Sequence, residues 1–303
     1  MNFLLNVLYF NLNMGYGAVD MNKQKTPDWV FQYLKKLHLT IPESASYEFL
    51  ELFCKRHLSM LPFENVSKLL DFSDCKTNQY YVPPVEKYVE NLFNDFGGTC
   101  MVLNPYAQKL LSCIGYDCDL VLLGSGHTAI LVKLPEFPSE RLFMDFGGAA
   151  PIFRPVRFEN RKNSSTYGPD EIQILPDEEQ EGYYRFTRYR NGNFVNNSWI
   201  FNPDTVCSAQ DLNKVIKNSF KKDAFFMSKL RVDLFQIKKG RTLSLNNNKL
   251  TIRTLDLREN EIKLSNIEEI ESVIHKEFSL HKLPVRRAIK VLNELDIDIF
   301  QEN

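Results

Sequence analysis

Around Asp119 the hydrophobic period of this chain changes, and that change limits what it can fold into. Before it, Trp29, Val30, Tyr33, Leu34 and Leu37 recur at helical spacing, behind a Thr26-Pro27 pair that suits an N-cap and a first helical position. Ser46 opens a second helix with Phe49, Leu50, Phe53 and His57 on one stripe, and Leu61-Pro62 ends it. After Asp119 the apolar runs shorten. Residues 119–123, 127–134 and 141–147 are rich in Val, Ile, Leu and Phe and are separated by Gly or Pro, which predicts strands. Residues 183–189 and 194–201 continue the β character after a polar, acidic stretch, residues 160–182, expected to be a long surface loop. The middle third therefore reads as an antiparallel barrel or sandwich. Beyond Asn202-Pro203, strands are expected at 230–237, 242–245 and 249–255, with a turn at Asn246-Asn247-Asn248. Helices close the chain, one of them opened by a Ser265 and Glu268 capping pair.

Charge and cysteine usage exclude several function classes. Thirty-seven Lys and Arg against 38 Asp and Glu leave a net charge of −1, so no overall field draws nucleic acid or an anionic membrane. The six cysteines are scattered without a CxxC pair and read as reduced thiols. The five histidines never stand at the short spacing from Cys that a structural zinc site uses, so no metal is expected. The apolar run within residues 3–10 is too short to span a bilayer and has no Lys or Arg before it, so residues 1–25 read as an arm. The cytoplasm is the expected location, with no membrane partner.

Gly97-Gly98-Thr99-Cys100 directly precedes a helical stripe, Met101 to Ile114, that ends at Gly115. With Thr99 as its cap, Cys100 falls in the first turn, where unpaired N–H groups and the positive end of the helix dipole favour a thiolate. The glycines allow close approach to the sulfur. Pro105 removes a backbone donor beyond the first turn and is expected to bend or restart the helix. The alternative for Cys100 is a small buried core thiol, as for Cys54, Cys113, Cys118 and Cys207.

A thiol nucleophile needs a base and a group that orients the base. If residues 135–139 form a hairpin loop, Leu134 faces Glu140, and counting back sets Ala129 opposite Asp145 and His127 opposite Gly147. His127 and Asp145 then share a face as diagonal neighbours about 7 Å apart at the backbone. Taken singly, His127 is a structural histidine and Asp145 a turn-capping carboxylate. Together with Cys100 they form a Cys–His–Asp arrangement of the kind used in acyl chemistry.

The residues around these three resemble the arylamine N-acetyltransferase family. Its RGGxCxExN pattern is similar to Phe96-Gly97-Gly98-Thr99-Cys100-Met101-Val102-Leu103-Asn104, and its HxxxIPFEN segment is similar to His57 through Leu61-Pro62-Phe63-Glu64-Asn65. His127-Thr128-Ala129-Ile130-Leu131-Val132 and Phe143-Met144-Asp145-Phe146-Gly147 match its His and Asp strands, and Trp199 and Gly240-Arg241-Thr242-Leu243 sit where members carry comparable residues. The resemblance implies an α+β, multi-domain fold with a cysteine-protease or transglutaminase-like core. It consists of a helical domain (26–117) holding the Cys, an antiparallel β-barrel (118–203) holding the His and Asp, and an α/β lid (204–303). It also implies ping-pong transfer from acetyl-CoA to an aromatic amine or hydrazine, with Cys100 as nucleophile, His127 as base and Asp145 as orienter. Ser125, Gly126 and Gly147 are the expected cofactor contacts, and Phe63 and Phe146 the expected substrate contacts. The motif Arg is Phe96 here and the motif Glu is Val102, so Glu64 must find a partner other than that Arg or face water. Gly148 stands where the family carries a pocket aromatic. The other readings are an amide synthase of the same fold using another acyl donor, a thiol hydrolase, and a binding module that has lost catalysis.

Overall fold

The computed structural model describes residues 26–75, 82–160 and 163–301, so the apolar run at 3–10 and the expected arm lie outside the described residues. Five helices build the first part: α1 (Asp28–Lys36), α2 (Tyr47–Met60), α3 (Val66–Asp74), α4 (Val85–Leu92) and α5 (Cys100–Cys113). Helix α1 starts one residue later than expected, with Pro27 in the cap position. Ser46 caps α2 by accepting the Phe49 N–H at 3.3 Å, and the helix ends where Leu61, the residue before Pro62, is extended. Pro105 lies inside α5 without ending it.

Three antiparallel sheets follow. The first, in order β2-β3-β4, comprises β2 (Asp117–Leu123), β3 (His127–Lys133) and β4 (Arg141–Met144), and the second is a meander of β5 (Ser164–Tyr167), β6 (Asp170–Pro176), β7 (Tyr184–Arg190) and β8 (Asn193–Phe201). Two expectations are corrected here. Residues 160–182 are not one loop, because β5 and β6 form a hairpin about Gly168, whose φ is +57°. Ile172 and Ile174 alternate into the core, and it is the acidic run at 178–181 that gives the segment its surface-like composition. Nor do the described strands close a barrel. Beyond Met144 the chain leaves the ladder to make the Asp145–Gly148 turn, and β4 meets the following segment through the isolated Phe143–Val156 bridge and the bonds of Arg141 to Glu159. The two sheets touch where the Gly124 N–H donates to the Ile200 carbonyl at 2.9 Å, without merging.

The third sheet runs β1-β9-β10-β11-β12, from β1 (Phe63–Glu64), β9 (Arg231–Gln236), β10 (Arg241–Asn246), β11 (Lys249–Thr254) and β12 (Glu259–Lys263). Its edge strand β1 comes from the helical segment, so Phe63 pairs with Asp233 and Glu64 with Val232, tying the last third of the chain to the first. Asn246 pairs with Lys249 across the expected turn. Helices α6 (Ala209–Ser219), α7 (Ile267–Lys276) and α8 (Val285–Glu294) complete the region. The α7 cap lies one residue beyond the expected pair: Asn266 accepts the Glu269 N–H at 2.9 Å while the Ser265 N–H donates to Glu269 Oε2 at 2.7 Å.

Two apolar cores result. One joins α1, α2, α4 and most of α5 to the first two sheets; the other joins α3, α6, α7, α8 and the third sheet. Leu103, Tyr106 and Ala107 of α5 belong to the first core, but Cys100 and Met101 belong to the second. The first turn of α5 is the seam between them.

Candidate active site

Two glycines bring the chain to this seam. A β-carbon on Gly97 would lie 1.8 Å from the Pro62 carbonyl oxygen, and Gly98 adopts φ +140°. Strand β1 holds the turn, since the Glu64 N–H donates to the Gly98 carbonyl at 3.1 Å. Glu64 is fully buried, and its carboxylate accepts the Gly97 N–H at 3.1 Å and the Ser67 N–H and hydroxyl, each at 2.8 Å. Burial pushes its pKa up, and these donors pull it back. The partner that Phe96 cannot supply is thus backbone: Glu64 caps α3 and pins the turn before Cys100. Thr99 occupies the α5 cap position without a side-chain cap bond, and Cys100, 4% exposed, opens the helix.

The β3–β4 register is the expected one. Ile130 pairs with Met144 and Lys133 with Arg141, a ladder whose continuation puts Ala129 opposite Asp145. His127 Nε2 lies 2.8 Å from Asp145 Oδ2, and the imidazole is electrostatically coupled to the Cys100 side chain. The Cys100 sulfur lies 3.9 Å from the Gly126 carbonyl oxygen. Burial alone pulls the His127 pKa down, but the Asp145 carboxylate and the Cys100 sulfur outweigh it and the net direction is up. Burial likewise pushes Asp145 up, and the His127 charge with the donors Asn104 and Gly147 brings it below its usual range. Both directions favour the charged forms of the pair.

Asn104 fixes this pair to α5. Its Nδ2 donates to Asp145 Oδ1 at 2.8 Å and to the Thr128 carbonyl at 2.5 Å, while its Oδ1 accepts the Phe146 N–H at 2.8 Å. Asp145 Oδ1 also accepts the Gly147 N–H at 2.7 Å, and the Thr128 hydroxyl donates to the Cys100 carbonyl at 2.7 Å. Sequence reasoning quoted Asn104 only as part of a motif. Its signal was available, because a residue four positions after Cys100 lies on the same face of the helix. Trp199 on β8 was also missed as a neighbour of the site: its ring stacks on the His127 imidazole with centroids 4.5 Å apart and planes 3° apart. Nothing local in the sequence pairs these two residues.

The remaining expected residues divide. Ser125 and Gly126 lie in the exposed turn that leads into His127, beside the Cys100 sulfur. Gly147 packs so closely on Cys100 that a β-carbon there would lie 2.2 Å from the Cys100 α-carbon, and one on Gly148 would lie 2.5 Å from Asp145 Oδ2. Phe63 is 7% exposed and meets Phe226 edge-on at 5.2 Å. Phe146 is 2% exposed, with its ring stacked on His57 at 4.0 Å and set against Phe53 at 5.5 Å, so the ring is taken up by the core. Chemically, a sulfur at a helix start, beside an imidazole that a buried carboxylate holds, can attack a carbonyl carbon.

Comparison with known proteins supplies the context. A family model described as N-acetyltransferase matches residues 46–285. No curated sequence relative matches the chain. Among solved structures, the arylamine N-acetyltransferase from Salmonella typhimurium aligns with a TM-score of 0.69 at 17% identity, covering 88% of this chain and 99% of that one. The enzyme from Mycobacterium abscessus aligns with a TM-score of 0.71 at 14% identity, over 89% and 95% of the two chains. The NAT3 enzyme from Bacillus cereus, described as having a unique Cys-His-Glu catalytic triad, aligns with a TM-score of 0.67 at 18% identity, over 83% and 98%.

Proposed function

The chain belongs to the arylamine N-acetyltransferase family, and from that premise we propose that it transfers an acetyl group from acetyl-CoA to an arylamine or arylhydrazine through an acetyl-Cys100 intermediate. The observation that carries the proposal is the buried hydrogen-bonded line His127–Asp145–Asn104, with Cys100 at the helix start beside the turn that leads into His127. In this reading Cys100 attacks the donor thioester carbonyl, and His127 gives its proton to the departing CoA thiolate. The acceptor amine then attacks the acetyl-cysteine, His127 takes the amine proton, and the Cys100 thiolate leaves. Asp145 orients the imidazole and keeps it basic, and N–H groups at the start of α5 hold the oxyanion. Asp in the third position sets this chain apart from the Cys-His-Glu enzyme of Bacillus cereus.

We assign the approach of the CoA arm to the exposed Ser125-Gly126 turn. Gly147, whose α-carbon face is filled by Cys100, contributes there only through its backbone. Of the two expected acceptor contacts, Phe63 is carried forward, because the Phe146 ring is spent on His57. No described helix is long and apolar enough to cross a membrane. The scattered cysteines, read as reduced thiols, are the ground on which the cytoplasm is proposed.

Intact mass spectrometry after brief exposure to acetyl-CoA tests the proposal. One acetyl group mapped to Cys100, absent from Cys100→Ala and removed by an added arylamine, is the expected result. No adduct on folded protein refutes the donor, and an adduct lost equally fast without amine identifies a hydrolase.

A further inference from the structure

The second sheet reaches the turn that carries Asp145. Strand β6 begins at Asp170, a buried carboxylate, and across the ladder Asp170 pairs with Arg190 while Ile172 pairs with Arg188. Both arginines therefore share a face of β7, and both bond the same oxygen: Arg190 Nε and Nη2 donate to Asp170 Oδ1 at 3.1 and 2.9 Å, and Arg188 Nε and Nη2 at 3.3 and 3.1 Å. Arg188 has one further bond, from Nη1 to the Gly148 carbonyl at 3.4 Å. The β7–β8 register also shifts at this point, since Thr187 pairs with Ser198 but Arg188 with Val195, and such a bulge re-aims the side chain it carries. At the other end of the bond, Gly148 has no side chain to anchor it and packs on Asp145 Oδ2, the oxygen that faces His127. Ala149 follows at φ +47°, a strained conformation that persists only where its surroundings enforce it.

We propose that Arg188 is a positioning residue for the reaction, a clamp from the second sheet that holds the Gly148 carbonyl and so keeps Gly148 folded against the Asp145 carboxylate. The proposal rests on Asp145 orienting His127 and on Cys100 being the nucleophile. A guanidinium suits the task because its planar fork can hold a carboxylate with one edge and direct a remaining N–H elsewhere. Asp170 takes the Nε and Nη2 edge of Arg188, which leaves Nη1 aimed at Gly148. Pinning the β5–β6–β7 hairpins does not need Arg188, since Arg190 stands directly opposite Asp170 and bonds it twice. Asn104 and the Gly147 N–H hold Asp145 Oδ1 from the α5 side and from the turn itself; Arg188 secures the backbone that backs Oδ2. A carboxylate fixed at both oxygens offers the imidazole one geometry.

Iodoacetamide alkylation of Cys100, read by peptide mapping with exposed Cys113 as the internal reference, tests this without an acyl donor. Arg188→Met is compared with wild type, and again in an Asp145→Asn background. Loss of one positioning hydrogen bond is expected to slow Cys100 by about five- to tenfold in the native background and by less than about twofold when Asp145 is already gone. Arg190→Met, which leaves the Gly148 bond in place, is expected to stay within about twofold of wild type. Arg188→Lys keeps a cation beside Asp170 without the fork; it is expected to slow Cys100 in the same Asp145-dependent way, and it carries the test if the methionine variant does not fold. The same slowing in both backgrounds overturns the proposal, because that marks a packing role. Equal slowing by Arg190→Met overturns it as well, since the effect then belongs to the hairpins, and so does an Arg188→Met rate equal to wild type. If wild-type Cys100 alkylates no faster than Cys113, the nucleophile reading falls and this proposal falls with it, whereas an Asp145-dependent Arg188 effect without an acetyl adduct supports the clamp and removes only the donor.

Discussion

Cys100 is approached from two regions built on different principles. On the side of the first core, Asp145, Asn104 and Thr128 are buried and each has its polar atoms engaged, in a lattice that runs from β4 through α5 to β3. On the side of the second core, Lys68 is almost as buried, and among the described residues it meets one hydroxyl and one aromatic face, with Asp71 on the same cavity wall. A saturated network has a single low-energy geometry, which is what orienting an imidazole requires. An under-satisfied charge has little to specify its own position. The first region thus fixes direction, and the second holds a charge that burial disfavours.

The sharpest way to break the comparison is to damage the saturated side. Asp145→Asn keeps the size but removes the charge that raises His127, and it presents the imidazole with an amide in place of a carboxylate. Activity is expected to fall by about 10³-fold or more. Stopped-flow acetylation of Cys100 checks this, and a loss below tenfold would mean that Asp145 is not the orienting group. Asn104→Ala comes next. It leaves Asp145 Oδ1 and the Phe146 N–H each short of a partner inside the core, an expected cost of about 2–4 kcal/mol in stability and a clear loss of acylation rate. Urea unfolding beside the same acylation assay measures both, and a variant as stable as wild type would show the network to be slack.

How far these features were legible depends on the range of the interaction that makes them. The His127–Asp145 pairing could be counted from the loop at 135–139, because a hairpin passes the register of its closing residues to the whole ladder. The position of Cys100 followed from Gly97-Gly98-Thr99 and the stripe behind it. The β5–β6 hairpin was hidden because the acidic run just beyond it swamps the short Ile172 and Ile174 alternation. The open edge at β4 depends on Asp145 leaving the strand to bond the Gly147 N–H, a side-chain event that no periodicity records. Trp199 over His127 and Lys68 on Phe220 join residues from different sheets and helices, and such contacts exist only once the cores have assembled.

Outside the Cys100–His127–Asp145 group, His57 and Lys68 are buried bases on opposite sides of the seam, and acid and alkali read them separately. His57 lies in the first core, accepts no charge partner, and is driven by burial down to about 3. Its folded pKa is below the unfolded value, so the unfolded chain binds more protons between about pH 6.5 and pH 3, and stability is lost as pH falls through that window. By pH 4 the loss from His57 alone is expected to reach about 3 kcal/mol. Lys68 acts in a later window, where stability rises as pH increases from about 7 toward its ordinary value. Urea midpoints across pH for His57→Gln and Lys68→Met sharpen the contrast: the first should flatten only the acid limb and the second only the alkaline one.

The smallest effect is expected where the sequence departs most visibly from its family. Phe96→Arg restores the motif residue, and if Glu64 were an unpaired carboxylate the new guanidinium would stabilise the protein substantially. Glu64 is already satisfied by the Gly97 N–H and by Ser67 at the start of α3, so an arginine has no vacancy to fill. Phe96 meanwhile packs against the second core, and its ring would be lost. The net change is therefore expected to be under about 1 kcal/mol and destabilising, the transfer cost of a partly buried ring set against a weak new ion pair. The midpoint of urea unfolding measures it. A gain above about 1 kcal/mol would mean that backbone donors do not replace the lost arginine, and that the second side of the Cys100 seam carries an unmet charge of each sign.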